Sequence, residues 1–262
     1  GALGWVAVPG TPDLVTADNV VEYMRCAWSA EAGEGVTEEW WLQRKDFMGK
    51  LATGMLDKLQ TGPLDLSALL EAVFRALDER HILIYVDDPT FGELLARRGW
   101  DGALRSGAGD FLMVADTNVG FNKVNPNVAL SAIYEVNLDS APAPTAFLQL
   151  TYRHLLTTGP PCLQEANLGE GKYEDLMMRC YWDYVRVLAP EDSRLTDSLA
   201  PQVPTPWTLT AVGFDGVFRQ NAAEAGTTEF SGLLVLPPGE TRTIELRYQL
   251  PAQTLARAGR ET

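Results

Sequence analysis

The alternation of apolar and polar residues near the end of the chain constrains its fold more than any other feature. Segment 243–250 has its apolar residues at every second position, namely Ile244, Leu246, Tyr248 and Leu250. Successive side chains of a β-strand point to opposite faces, so this period of two predicts a strand with one buried and one solvated face. A second apolar run, 233–236, precedes it across a Pro-Pro-Gly-Glu turn at 237–240. The two runs together predict a β-hairpin.

Further strand-like segments occupy the second half of the chain. They are short, apolar or alternating, and separated by proline and glycine: 111–115, 132–138, 147–152, 184–188 and 207–212. About six such strands between residues 127 and 250 predict an antiparallel β-sandwich.

The first half of the chain shows helical periodicity instead. Apolar residues recur every three or four positions in segments 17–28, 37–59 and 66–79. Asp88 before Pro89 predicts the cap and first residue of another short helix, which Gly99 ends. The apolar run 81–86 lies between these helices and predicts a short buried strand.

Helices followed by strands predict an α+β fold, in which a helical segment packed with a small sheet precedes the β-sandwich. A chain of 262 residues is long enough for two such parts. We therefore predict a helical α/β subdomain at 1–126, a β-sandwich-like subdomain at 127–250 and a C-terminal tail at 251–262.

The charge composition limits the classes of partner. Lysine and arginine number 21 against 35 aspartates and glutamates, a net charge of −14. Binding of nucleic acid needs a concentrated basic face, so nucleic acid is excluded as a partner. A well-solvated acidic surface explains the charge, and the alternative is an acidic face for cations or for a basic partner.

The sequence also predicts an exported fragment. No run of about 18 apolar residues is present, so no segment is predicted to span a bilayer, and no signal peptide is visible. The chain begins at Gly1 rather than at methionine. These features predict an excised ectodomain, although a soluble cytosolic fragment would look the same.

The cysteines predict one disulfide bond. Cys162 and Cys180 bracket a loop that begins after Pro160 and Pro161. A bond closing about 18 residues would stabilise the fold by about 3 kcal/mol in an oxidising compartment. Paired metal ligands are the alternative, but neither cysteine has a CxxC partner or a nearby histidine. Cys26 lies in a helical segment and is predicted to be a small buried residue.

Motifs of catalysis are not visible in the sequence. The two histidines have no metal-ligand spacing and no neighbouring nucleophile, and no GxGxxG, Walker, HExxH or GxSxG motif occurs. The aromatic run 181–184 predicts core filling, with a sugar-binding platform as the alternative.

One polar stretch, 116–127, follows a predicted buried strand. Its candidate residues for binding a ligand or a cation are Asp116, Asn118, Asn122 and Lys123, of which the first three offer oxygen atoms that suit Ca²⁺. No glutamate closes the loop as in an EF-hand, and Asn, Asp and Gly are also the commonest turn residues. A plain turn is therefore the alternative, and no other cofactor is predicted.

Several short motifs are spread over the chain. They are T-A-D-N-V-V-E-Y at 16–23, R-K-D-F at 44–47, E-R-H-I-L-I-Y at 79–85, D-P at 88–89, G-W-D-G at 99–102, the polar stretch at 116–123 and P-P-G-E-T-R-T at 237–243. Together they resemble the uncharacterised bacterial domain-of-unknown-function family 4012. The resemblance covers most of the chain and implies an extracytoplasmic envelope protein anchored by a transmembrane helix upstream of Gly1. It implies no activity, but it supplies the exported setting in which the cysteine bridge would persist.

A more distant likeness is to the LytR-CpsA-Psr cell-wall glycopolymer ligases, in which an arginine-rich helix binds a lipid pyrophosphate. Arg44 and Lys45 occupy a comparable place and are the candidate anion-binding residues. The several arginines that would neutralise a pyrophosphate are absent from this segment.

Two functional hypotheses follow. The first is a non-catalytic envelope module that binds or scaffolds an envelope protein or a glycan. The alternative is part of a glycopolymer transferase or hydrolase whose active site lies largely in a segment before Gly1.

Overall fold

A computed structural model of the chain describes residues 3–29, 36–107, 109–140, 142–165, 171–224 and 226–254. The chain divides into two compact units, Gly1–Ala103 with Glu170–Tyr173, and Leu104–Gly169 with Glu174–Thr262. Helices dominate the first unit and antiparallel sheets the second, so the predicted α+β class is confirmed. Most of the predicted tail, 255–262, lies outside the described residues.

In its described residues, the first unit contains five helices and a two-stranded antiparallel sheet. These elements are β1 (Val6–Ala7), β2 (Leu14–Val15), α1 (Val20–Trp28), α2 (Glu38–Gln43), α3 (Asp46–Thr61), α4 (Leu66–Asp78) and α5 (Pro89–Arg98). The small sheet packs on α3 at Gly54, where a Cβ atom would lie 2.2 Å from the carbonyl oxygen of Ala7. Trp28 makes edge contacts with the rings of Trp40 and Tyr173 at 5.3 and 5.7 Å.

Side-chain caps explain where several of these helices begin. The Asp88 carboxylate accepts hydrogen bonds from the amides of Thr90 and Phe91, and Gly99 ends α5 in the left-handed conformation at φ 72°. The predicted cap and stop are thus confirmed. The single helix predicted at 37–59 is wrong, because the backbone leaves the helical region at Lys45 and separates α2 from α3.

The strand predicted at 81–86 is also wrong. Ile84 donates one backbone hydrogen bond to Trp100, at 2.9 Å, but the segment joins neither β1 nor β2. Tyr85 is 84% exposed and Leu83 is also exposed. A short apolar run becomes a strand only when another strand satisfies its backbone groups, and none of the described strands does so here.

The second unit is a sandwich of two four-stranded antiparallel sheets. Its strands are β3 (Met113–Asn118), β4 (Val128–Asn137), β5 (Thr145–His154), β6 (Tyr181–Pro190), β7 (Arg194–Leu199), β8 (Arg219–Ala222), β9 (Thr227–Leu236) and β10 (Thr241–Gln249). One sheet has the order β4-β5-β10-β7 and the other β3-β6-β9-β8. A short helix, α6 (Tyr173–Met177), precedes β6.

The core lies between the two sheets. Alternate residues of the central strands are fully or almost fully buried there, including Leu148, Leu150, Val185, Val187, Phe230, Leu234, Ile244 and Leu246. The alternation predicted for segment 243–250 is therefore confirmed, since its apolar positions face the core.

The predicted hairpin is wrong in its pairing, although both of its strands exist. β9 pairs with β6 and β8, whereas β10 pairs with β5 and β7 in the opposite sheet. Segment 237–240 thus carries the chain from one sheet to the other. The strand predicted at 207–212 is wrong as well, because a 3₁₀ turn occupies Thr205–Trp207, and Leu209 and Val212 are exposed.

Candidate functional site

Two aspartates lie close together near the end of β3, at the edge of the β-sandwich. In the register of β3 with β6, Asn118 stands opposite Asp183, so Asp116 lies diagonally across from Asp183 on the same face. Asp183 is 0% exposed, whereas Asp116 is exposed at the edge of the sandwich. We call Asp116 and Asp183 the carboxyl pair.

Buried tyrosines surround the carboxyl pair. Tyr152 reaches it from β5 in the facing sheet and donates its hydroxyl hydrogen to Asp116 Oδ1 at 2.7 Å. Tyr181 precedes Asp183 by two residues on β6 and is also buried. Burial raises the pKa of both phenols, and the nearby Asp116 and Asp183 carboxylates raise them further.

Neither oxygen of Asp183 accepts a hydrogen bond of normal geometry from any described residue. The Tyr181 hydroxyl and the Thr117 amide lie nearby and lower the pKa of Asp183, but their effect is the smaller one. Burial and the Asp116 carboxylate have the larger effect and raise the pKa of Asp183 to about 8. The ionised form of this side chain is therefore poorly compensated by the protein itself.

The predicted cation loop is tied together by its own amides. Asn118 Oδ1 accepts from the Gly120 amide at 2.9 Å, and Asn118 Nδ2 donates to Asn122 Oδ1 at 2.8 Å and Asn125 Oδ1 at 2.6 Å. Asn122 Nδ2 donates to the Cys180 carbonyl at 2.9 Å. The structure therefore brings Asp116 to Asp183, while these asparagines fix the path from β3 to β4.

Lys123 lies in the same loop, where its backbone amide donates to the Leu176 carbonyl at 3.0 Å. Sequence reasoning missed Asp183 and Tyr152. The only available signal was a charged residue inside the apolar run 181–184, because an aspartate in a buried strand needs a reason to be there. Tyr181 and Trp182 of that run are buried, which confirms their predicted place in the core.

Cys162 and Cys180 form the predicted disulfide, with their Cα atoms 5.5 Å apart. Cys162 follows β5 of one sheet and Cys180 precedes β6 of the other, so the bond closes the connection between the sheets. Both sulfurs belong to a buried apolar cluster that includes Trp182. The disulfide fits an extracytoplasmic environment. The prediction that Cys26 is buried is wrong, because it is exposed on α1.

A surface cleft of about 790 Å³ lies at the end of the β4-β5-β10-β7 sheet, where the chain turns from β4 into β5. Its lining includes Glu135, Asn137, Leu138, Asp139, Thr145, Phe147, Thr196 and Arg247. The Arg247 guanidinium lies over the Phe147 ring, 4.3 Å from its centroid. We call this the Arg247 cleft. Carboxylates, an amide and hydroxyls thus surround one cation–aromatic pair.

The predicted anion-binding residues lie between α2 and α3. Arg44 stacks on the Trp41 ring at 3.7 Å and donates to the Trp41 carbonyl oxygen. It lines a cleft of about 330 Å³ together with Glu39, whose negative charge opposes anion binding. Lys45 stands at the N-cap of α3.

The histidines do not form a catalytic arrangement with any described residue. His81 is exposed beside Glu79, with Nε2 3.3 Å from the carboxylate. His154 is buried, and its ring nitrogens contact the Arg179 carbonyl oxygen at 3.1 Å and the Leu156 amide at 3.2 Å. Among the described residues, no cluster of three or more His, Cys, Asp or Glu side chains could hold a metal ion.

None of the helices in the described part of the chain is long and apolar enough to cross a bilayer. No protein-family model, curated protein or solved structure matches this chain. The resemblance to family 4012 and the likeness to the glycopolymer ligases therefore stay predictions.

Proposed function

We propose that this chain is a non-catalytic binding module of an envelope-anchored extracytoplasmic protein, and that its Arg247 cleft binds a glycan of the cell envelope. The observation that carries the proposal is the chemistry of that cleft. Its volume, about 790 Å³, is within the range of small-ligand sites in proteins.

The cleft presents groups that match a sugar. Sugar hydroxyls both donate and accept hydrogen bonds, and Glu135, Asp139 and Thr145 offer carboxylate and hydroxyl oxygens to them. Arg247 supplies several donors on a planar group that Phe147 holds in place by stacking. A planar, preorganised donor loses less conformational entropy on binding than a mobile side chain.

The carboxyl pair is not placed for hydrolysis of a glycan. A glycoside hydrolase needs two carboxyl groups on either side of an accessible glycosidic bond. The carboxyl pair does not meet this requirement, because Asp183 is completely buried between the sheets. No described histidine is placed to activate a nucleophile.

The extracytoplasmic setting is supported by the disulfide between Cys162 and Cys180. Anchoring in the envelope rests on the family resemblance, which implies a transmembrane helix upstream of Gly1. The module would then display its cleft on the outer side of the membrane.

The test is isothermal titration calorimetry of the purified chain with soluble peptidoglycan fragments and with envelope polysaccharides. We expect binding that Arg247→Ala weakens at least tenfold, because the cleft loses its guanidinium and the stacking on Phe147. Arg219→Ala is the matched control, since Arg219 is an exposed arginine of β8 in the other sheet, paired with Asp215. Absence of binding at millimolar glycan, or equal weakening by both variants, would refute the proposal.

A further inference from the structure

We propose that the carboxyl pair, Asp116 with Asp183, binds a hard cation of the Ca²⁺ class at the edge of the β-sandwich. The first observation is the placement of two acidic side chains on one face of adjacent strands, β3 and β6. Like charges in such positions repel each other unless a positive charge lies between them.

The second observation is independent of this placement and concerns the hydrogen bonding of Asp183. Its side chain is 0% exposed, and neither of its oxygens accepts a hydrogen bond of normal geometry within the described structure. A buried carboxylate without partners costs several kcal/mol. Two unpartnered oxygens on one carbon are also what bidentate ligation of Ca²⁺ requires.

Two of the polar side chains near the carboxyl pair donate to other partners. The Tyr152 hydroxyl donates to Asp116, and Asn118 Nδ2 donates to two other asparagines. Arg242 stands opposite Tyr152 in the facing sheet, where its Nη2 pairs with Glu240 at 2.8 Å and its Nη1 is buried without a hydrogen-bond partner in the described part of the chain. No described cationic side chain donates a hydrogen bond to Asp183. A cation from solvent would supply the missing positive charge.

The position of Asp116 gives an ion a route to the site. Asp116 is exposed on the edge strand β3, so an ion from solvent would reach Asp116 first. Asp183 would then bind the ion from the buried side. Asp183 offers two oxygens and Asp116 one, and water would fill the remaining positions. A site with so few protein ligands is expected to bind Ca²⁺ weakly, as extracellular Ca²⁺ modules do with a Kd of about 10⁻⁴–10⁻³ M. Mg²⁺ fits less well, because it requires near-octahedral geometry, which a bidentate carboxylate distorts, and because it gives up its bound waters reluctantly.

The positive charge between the two carboxylates has an alternative source. A shared proton could supply that charge instead of a metal ion. The proton and the ion make opposite predictions for the effect of added calcium, so the experiment distinguishes them.

The experiment is thermal unfolding of the full chain at increasing CaCl₂, with NaCl used to hold the ionic strength constant. Calcium at ten times its Kd is expected to favour the folded state by about tenfold, seen as a rise in Tm. Asp183→Asn should abolish this rise, and Asp116→Asn should do the same. Asp57→Asn on α3 is the control and should leave the response intact, because Asp57 is exposed in the first unit.

A second measurement does not depend on stability. Tb³⁺ replaces Ca²⁺ at oxygen sites, and the adjacent phenol of Tyr152 would sensitise its emission. We expect tyrosine-excited Tb³⁺ luminescence that calcium displaces and that Asp116→Asn removes. Because Asp116 lies at the exposed edge, this variant should fold even if Asp183→Asn does not. An unchanged Tm in millimolar calcium together with no sensitised emission would overturn the proposal and leave a shared proton as the bridge.

Discussion

Reduction of the disulfide is expected to destabilise the β-sandwich by about 3 kcal/mol. The Cys162–Cys180 bond closes a sequence separation of 18 residues. For a loop of that length, the loss of chain entropy in the unfolded state corresponds to about 3 kcal/mol at room temperature. Reduction isolates this effect, because both thiols keep their volume beside Trp182 and leave no cavity. For a unit of this size the corresponding fall in Tm is about 6–12 °C.

The assay is urea unfolding with and without a phosphine reductant, followed by tryptophan fluorescence. The Cys26→Ser variant should show the same loss on reduction, because Cys26 lies on α1, outside the sandwich. Thiol titration of the denatured, unreduced chain should count one thiol out of three cysteines. A loss below about 1 kcal/mol would refute the loop-entropy reasoning, and a count of three thiols would refute the bond itself.

Two substitutions test the packing of the second unit by urea unfolding. Leu246→Ala removes a fully buried side chain between the sheets and should lower the free energy of unfolding by about 2–5 kcal/mol. Its control, Leu199→Ala, should lower it by less than about 0.5 kcal/mol, because Leu199 is 65% exposed on β7. Equal losses would contradict the two-sheet core. Gly120→Ala should cost about 1–3 kcal/mol, because its Cβ would lie 2.8 Å from the Trp182 ring. Gly49→Ala on α3 is its control, since that Cβ meets nothing within 4 Å, and full stability of the Gly120 variant would contradict the tight turn after β3.

The local part of this fold could be predicted from the sequence. A period of two in segment 243–250 correctly assigned the buried face of β10, because the pleat of a strand determines that face without reference to its partner. Asp88 and Gly99 correctly bounded α5 for a similar reason, since caps act on the nearest backbone amides and carbonyls.

Strand pairing could not be predicted in the same way. β9 is buried along almost its whole length, and an apolar run of this kind contains no signal of which strands lie beside it. A turn rich in proline and glycine joins neighbours in one sheet or in two sheets equally well. Segment 81–86 shows the opposite error, because an apolar run without a partner strand stays exposed.

The candidate site was predictable only in part. Asp116 could be selected from its place after an apolar run, but its neighbour Asp183 is 67 positions away in the sequence. The two meet only because β3 pairs with β6 in a single register. Contacts of this kind depend on the tertiary fold, and one sequence read alone does not contain them.

The crossing from β9 to β10 determines the order in which the sandwich can be completed. These last two strands occupy inner positions in opposite sheets, β9 between β6 and β8 and β10 between β5 and β7. A ribosome, or a translocation pore that delivers the chain from its N-terminus, releases both of them after every other strand. Until Leu236 has emerged, β8 has no neighbour in its sheet, and until Gln249 has emerged, β7 has none in the other. The two-sheet core therefore cannot be completed during synthesis before β10, the last of these strands, has been released.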